Sequence, residues 1–244
     1  MSKTRMITLI LVLAMLCALA FSGCSKQEES TEPADTETEA EAETETKEET
    51  VIDYMVLVNQ QSPLPDGWEE ALDLTTITNS VGDEVQTESK AYEAYLALKE
   101  AVEKDLEGYE KGEVRLELDS AYRSVAAQQK IVDDFTEKYG EDYVKKYVAV
   151  PGYSEHHTGL ALDLYFTIDG KDVYENEDLV QYPDIWDAVH ARLPEFGFIL
   201  RFPKDGEAVT GYAYEPWHIR YLDDPEIAKE ITDKGLTLEE YLSE

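Results

Sequence analysis

The sequence predicts an α+β fold for residues 51–244, and three observations carry that expectation. Helical and strand periodicities follow one another in irregular order, the connections between them are short, and no internal repeat is visible. A doubly wound parallel sheet would instead show strands and helices in regular alternation. With 244 residues, 43% of them apolar, the chain has material for one globular domain with a buried core plus appendages.

Residues 88–106 place Ala91, Tyr95, Leu98, Val102 and Leu106 at helical spacing, which predicts an amphipathic helix. From Glu113 to Asp119 the pattern switches to alternation, with Val114, Leu116 and Leu118 on one face, as in a half-buried strand. Ser124 is placed to cap a helix running to Tyr139, and Gly140 stops it. Leu160, Leu162, Leu164 and Phe166 mark one face of a second strand, so Ala161, Asp163 and Tyr165 face the other way. A helix from about Asp184 to Glu195, a strand around Phe198 to Phe202 and a strand from Glu215 to Tyr221 follow. Two short helices close the chain, one with Pro225 in its first turn and one with a Thr237/Glu240 capping box.

Upstream of this domain the character changes twice. Lys3 and Arg5 precede an apolar run from Met6 to Phe21 broken only by Thr8, the layout of a secretory signal and short for a membrane span. The run ends in Phe21-Ser22-Gly23-Cys24, which resembles the lipobox of bacterial lipoproteins. That resemblance implies a signal peptide over residues 1–23 and lipidation of Cys24 as the mature N-terminus; the plainer alternative is an ordinary signal with an incidental cysteine. Residues 26–50 hold eleven acidic residues, two lysines and no large apolar side chain, so residues 24–50 are expected to be the lipidated cysteine and a disordered, self-repelling tether. The expected location is therefore extracytoplasmic, lipid-anchored to the bacterial cell membrane.

Charge and cysteine content exclude several chemistries. Against 54 acidic residues stand 21 basic ones, a net charge of −33, and no basic patch is visible. Nucleic acid and anionic membrane surfaces are thereby excluded as electrostatic partners. Both cysteines lie within the first 24 residues, which leaves the domain without a disulfide, a catalytic thiol or Cys-ligated zinc. Chemistry falls to histidines, carboxylates, hydroxyls or a metal.

Three of the four histidines fall in two short segments, Ser154-Glu155-His156-His157-Thr158-Gly159-Leu160-Ala161-Leu162-Asp163 and Glu215-Pro216-Trp217-His218. In the first, Asp163 sits on the non-leucine strand face just after His156. In the second, Pro216 biases Glu215 to an extended conformation, and His218 and Arg220 share a strand face. Two histidines and one carboxylate form a ligand set for catalytic zinc with a fourth position open, and Glu215 can stand beside that position without binding. Each residue also has a plainer reading: a His-x6-Asp spacing alone is weak, His157 is a neighbour, His190 four residues after Trp186 is structural, and Arg123 is a surface cation.

Taken together, the Ser-x-His-x-x-Gly-x-Ala-x-Asp segment, the later Glu-Pro-Trp-His, and the earlier Ser120-Ala121-Tyr122-Arg123-Ser124 with Gln128 resemble the VanY-type D-alanyl-D-alanine carboxypeptidases. These belong to the LAS group of zinc peptidases, with lysostaphin and the hedgehog signalling domain. Val150-Pro151-Gly152-Tyr153, Gly197-Phe198-Ile199-Leu200-Arg201-Phe202 before Gly211-Tyr212, and Leu57-Val58-Asn59 with Pro63-Leu64-Pro65 extend the resemblance over residues 54–222. His157 stands where Gln is often found. The resemblance implies a small antiparallel sheet carrying the zinc site, flanked by helices. It implies one Zn2+ per chain held by His156, Asp163 and His218, Glu215 as catalytic base, and Arg123 on the substrate carboxylate or the developing oxyanion. Ser120, Gln128 and Ser154 would help to hold the peptide.

The implied reaction is removal of the terminal D-Ala from peptidoglycan stem peptides by a monomeric enzyme. L,D-cleavage of tetrapeptide stems and a non-catalytic wall-binding module of the same fold are the alternatives, while the anchor disfavours a cytoplasmic dipeptidase. A serine penicillin-binding enzyme is excluded, because the chain has neither Ser-x-x-Lys nor Lys-Thr-Gly.

Overall fold

The computed structural model describes residues 52–244. The expected signal segment, Cys24 and the acidic tether lie outside the described residues.

Seven strands are described: β1 Leu74–Thr78, β2 Glu84–Glu88, β3 Val114–Ser120, β4 Ala161–Ile168, β5 Lys171–Val173, β6 Phe198–Leu200 and β7 His218–Tyr221. The helices are α1 Trp68–Ala71, α2 Ser89–Asp105, α3 Val125–Tyr139, α4 Glu141–Tyr147, α5 Asn176–Leu179, α6 Pro183–Arg192, α7 Glu207–Thr210, α8 Pro225–Lys234 and α9 Leu238–Tyr241. β1 and β2 form an antiparallel hairpin; the main sheet runs β3-β4-β7-β6, all antiparallel, with β5 on the outer end of β4. The expected α+β class and small antiparallel sheet are both present. Among the described residues no helix is long and apolar enough to cross a membrane.

Local chemistry explains most boundaries. The Ser124 hydroxyl accepts from Ala127 N at 3.1 Å to start α3, and Gly140, at φ +89°, ends it. Thr237 and Glu240 form the reciprocal capping box of α9, and Pro225 opens α8. The Asp169-Gly170 pair, both at positive φ, closes the β4–β5 hairpin, as a tight two-residue turn requires.

The core lies between the sheet and α2. Leu160, Leu162, Leu164 and Phe166 are fully buried with Val114, Leu116 and Leu118, and they pack on Ala91, Tyr95, Leu98 and Val102 of α2 and on Trp186 and Val189 of α6. A smaller cluster of Ile199, Leu222, Ala228, Ile231 and Leu238 holds the C-terminal helices against the far edge.

Three expected elements are shorter than the periodicity suggested. The helix after Asp184 ends at Arg192 and tightens into a 3-10 turn over Leu193–Phe196, because Pro194 supplies no amide hydrogen. β6 stops at Leu200, and β7 begins only at His218, leaving Glu215 in the turn before it. The β1–β2 hairpin, β5 and the short helices α1, α4, α5 and α7 were not expected.

Candidate metal centre

Backbone pairing builds this site. Asp163 is opposite His218 across β4 and β7, and opposite Ser120 across β3 and β4. The β3–β4 register shifts between Leu118 and Ser120, so Asp119 is the extra residue of a bulge that turns Ser120 toward Asp163. His156 lies in the 3-10 turn Glu155–Thr158, which ends at Gly159 with φ +71° before the chain enters β4. That left-handed residue favours glycine. In a continuous strand Glu215 and His218, three residues apart, would face opposite ways. The Pro216-Trp217 turn, closed by His218 N donating to Glu215 O at 3.2 Å, puts both side chains on the same side.

One ligand atom from each of His156, Asp163 and His218 lies within 4.8 Å of the others. His156 Nε2 is 3.1 Å from Asp163 Oδ2, and His218 Nδ1 is 2.9 Å from Asp163 Oδ1. The outer ring nitrogens have acceptors of their own: His156 Nδ1 donates to Ala121 O at 2.7 Å and His218 Nε2 to Glu155 Oε2 at 3.1 Å. Each ring therefore turns an inner nitrogen toward Asp163, whose buried Oδ1 lies 2.9 Å from His218 Nδ1 without accepting a well-aligned hydrogen bond. Two imidazole nitrogens converging on the two oxygens of one carboxylate, each ring fixed by an outer partner, fit the donor set of a zinc ion.

The charges agree. Burial pulls His218 down, but Asp163 and Glu155 overcome it and push its pKa up to about 10. Asp163 is held well below the usual carboxylate range: burial opposes this, and the two histidines outweigh it. Burial lowers His156. Asp163 and His218 thus favour positive charge between them, which a metal ion would supply in place of a proton, while His156 is favoured as a neutral ring with a lone pair to offer.

A cavity of about 460 Å3 opens over the triad, walled by Arg123, Gln128, Ser154, Phe202, Glu215 and Trp217 among others. Arg123 is fixed on both sides: Nη1 donates to Gln128 Oε1 at 2.9 Å and Nη2 to Ser120 Oγ at 3.2 Å. Gln128, 1% exposed, is itself held by donating to Ala149 O at 2.8 Å. Burial lowers the Arg123 pKa, with Asp163 and Asp119 opposing; a guanidinium remains charged regardless. Burial, aided by Asp163 and opposed by His218, raises Glu215 to about 7. Its Oε2 is 3.9 Å from His218 Nδ1. His156, Asp163, His218, Glu215, Arg123, Gln128 and Ser154 line this cavity, and Ser120 is bonded to one of them, Arg123.

His157 does not line the cavity. Fully buried, it donates from Nδ1 to Arg123 O at 2.5 Å and accepts at Nε2 from Gly152 N at 3.0 Å, so it ties the arginine loop to the Gly152 turn. Burial lowers its pKa, in keeping with a neutral ring that accepts at one nitrogen. His190, as expected, is structural, with Nε2 2.9 Å from Pro216 O.

Sequence reasoning missed Glu155, Arg201, Arg220 and Glu239. Both arginines are 1% exposed or less, and both bond Glu155 Oε1 at 2.7 Å. The available signal was Arg220 on the same strand face as His218, because a cation there needs a buried counter-charge.

Donor triad, adjoining carboxylate and walled cavity define a candidate metal centre on an α+β scaffold. Comparison with known proteins places it more closely. The family model VanY: D-alanyl-D-alanine carboxypeptidase matches residues 84–224. The Bacillus subtilis (strain 168) protein YodJ is 40% identical over 192 residues, covering 77% of this chain and 66% of its own. The bifunctional D-Ala-D-Ala dipeptidase and D-Ala-D-Ala carboxypeptidase VanXYC of Enterococcus gallinarum is 37% identical over 131 residues, covering 52% and 65%. This chain thus spans just under two thirds of the length of these curated relatives. Among solved structures, the vancomycin resistance D,D-pentapeptidase VanY from a VanB-type cassette, in complex with Zn(II), is 31% identical with a TM-score of 0.61, covering 78% of this chain and 98% of that one. The LdcB LD-carboxypeptidase is 34% identical with a TM-score of 0.62, covering 78% and 86%. The chain belongs to the VanY family of D-alanyl-D-alanine carboxypeptidases.

His157→Ala leaves the Arg123 carbonyl and the Gly152 amide without their partner and is expected to lower folding stability by about 1–3 kcal/mol in urea titration. His157→Gln, which keeps a donor and an acceptor, should recover part of that loss.

Proposed function

We propose that this chain is a zinc-dependent carboxypeptidase that removes the terminal D-Ala from peptidoglycan stem peptides. The observation that carries the reading is the placement of Glu215 beside the ligand triad, in a cavity that the fixed guanidinium of Arg123 also lines. Zinc held by His156, Asp163 and His218 supplies a Lewis acid that polarises the scissile carbonyl and acidifies water. Glu215 takes the proton of the attacking water and returns it to the leaving amine, a task suited to a carboxylate with pKa near 7. Arg123 pairs bidentately with the free C-terminal carboxylate, and Gln128 and Ser120 hold it in place. Ser154 lines the same cavity beside the peptide.

A second hollow of about 400 Å3 shares Val148, Ala149, Tyr153 and Tyr212 with the first. That room favours a stem peptide over a bare dipeptide. The likeness to the LdcB LD-carboxypeptidase supports a second reading, L,D-cleavage of tetrapeptide stems. Mass spectrometry of muropeptides after incubation with pentapeptide and tetrapeptide stems distinguishes the two. On the sequence of its N-terminal segment, the enzyme works outside the cytoplasm, anchored through lipid on Cys24.

Glu215→Gln should keep fold and metal but lose about 10²–10⁴-fold in turnover, mostly in kcat, because an amide cannot accept the proton. Activity within threefold of wild type would remove Glu215 as the base. For Arg123 the measurement is a two-by-two cycle of kcat/KM, wild type and Arg123→Ala against free-acid and C-terminally amidated peptides. Each single change should cost about 1.5–3 kcal/mol, and the two losses should not add. Full additivity would mean that Arg123 does not read the carboxylate. Cys24→Ser should move the protein from the membrane to the soluble fraction on cell fractionation, with unchanged rate constants for the domain.

A further inference from the structure

The two histidines of the triad are backed differently. His156 donates to a neutral carbonyl, that of Ala121, whereas His218 donates to the buried carboxylate of Glu155. Glu155 in turn has no freedom to move. Its Oε1 accepts from Arg201 Nε and Arg220 Nη1, both at 2.7 Å, and these charges hold its pKa far below the usual carboxylate range despite burial. Arg201 then reaches the end of the chain through two parallel bonds, Nη1 to Glu239 Oε2 at 2.8 Å and Nη2 to Glu239 Oε1 at 2.7 Å. Arg220 Nη2 donates to the carbonyls of Tyr54 and Val56 at the other end of the domain.

Two carboxylates and two guanidiniums cancel, so the network can sit in the interior as a set. What it does fix is geometry. A carboxylate pinned at one oxygen by two cations offers its other oxygen at a set position, and the His218 ring must align to it. That alignment aims Nδ1 at Asp163.

We infer that Glu155 is a positioning residue for the metal ligand His218, and that Glu239 makes the C-terminal helix α9 a working part of the metal centre. This rests on the metal-centre reading above. Glu239 lies beyond the residues 84–224 that the family model matches, so the metal centre draws on a segment outside the matched region.

A network that merely stabilised the fold would change the melting temperature and leave metal affinity alone. The test therefore measures zinc affinity of the full chain by competition with a chromophoric chelator, together with the visible spectrum of the cobalt-substituted protein. The variants are Glu155→Gln, Glu239→Gln and, as a destabilised control outside the cavity lining, Leu98→Ala, whose side chain is fully buried in α2. Glu155→Gln should weaken zinc binding about 10–100-fold and shift the cobalt bands, as loss of an outer-shell partner does. Glu239→Gln should weaken zinc several-fold, while Leu98→Ala lowers the melting temperature with affinity within twofold of wild type. A folded Glu155→Gln with wild-type affinity and spectrum overturns the inference, as does an equal loss in Leu98→Ala. If Glu155→Gln does not fold, Glu239→Gln decides, and unchanged affinity there overturns the proposal. Wild type that takes up no zinc would instead remove the metal-centre reading, and this inference with it.

Discussion

The pairing of Asp163 with His218 across β4 and β7 is the contact on which the rest of the molecule depends. β4 is bonded on both sides, and its alternation sends Leu162 and Leu164 into the core while Asp163 faces the cavity. A slip of one residue would drive the aspartate into the apolar core and turn the leucines out of it, so the hydrophobic core enforces the register that brings Asp163 to His218. The bulge at Asp119 and the turn at Pro216-Trp217 are local departures from ideal pairing, and each brings one more functional group to that register.

Electrostatics work at two scales. The chain as a whole carries a net charge of −33, which repels an anionic peptide at long range. Within the cavity the balance is different, because Arg123 stands in a half-enclosed site where screening is weaker than in open solvent. Local geometry, and not the overall charge, then decides what the cavity accepts. The same holds for the interior, where Glu155, Arg201, Arg220 and Glu239 would each be costly alone and are stable only as a set.

Elements whose signals are local were legible in the sequence. The apolar stripe of α2, the Ser124 cap, the Thr237/Glu240 box and the alternation of β4 all appear where periodicity placed them. The hairpin of β1 and β2 escaped notice because its Thr-rich, half-exposed strands carry little apolar alternation. α4 escaped because it is short and mostly exposed. The triad could be read because its spacing matches a known family pattern. The role of Glu155 could not, because its partners at positions 201 and 220 are near it only in space. His157 was hidden for a similar reason: its bonds run to the backbone at Arg123 and Gly152, which a sequence pattern does not register.

One feature of the arginine loop reaches further. The Arg123 amide donates to the carbonyl of His156 at 3.0 Å, and the Arg123 carbonyl accepts from His157, so the backbone that carries the cation is tied to the turn that carries His156. On the carboxypeptidase reading, that tied interval is a gauge of length. With the chain end held at Arg123, the same bond, counted from the terminus, is presented to the metal whatever peptide lies upstream. Substrates with an extra residue at the end would be cut out of step or not at all, and trimming would proceed by a fixed stride.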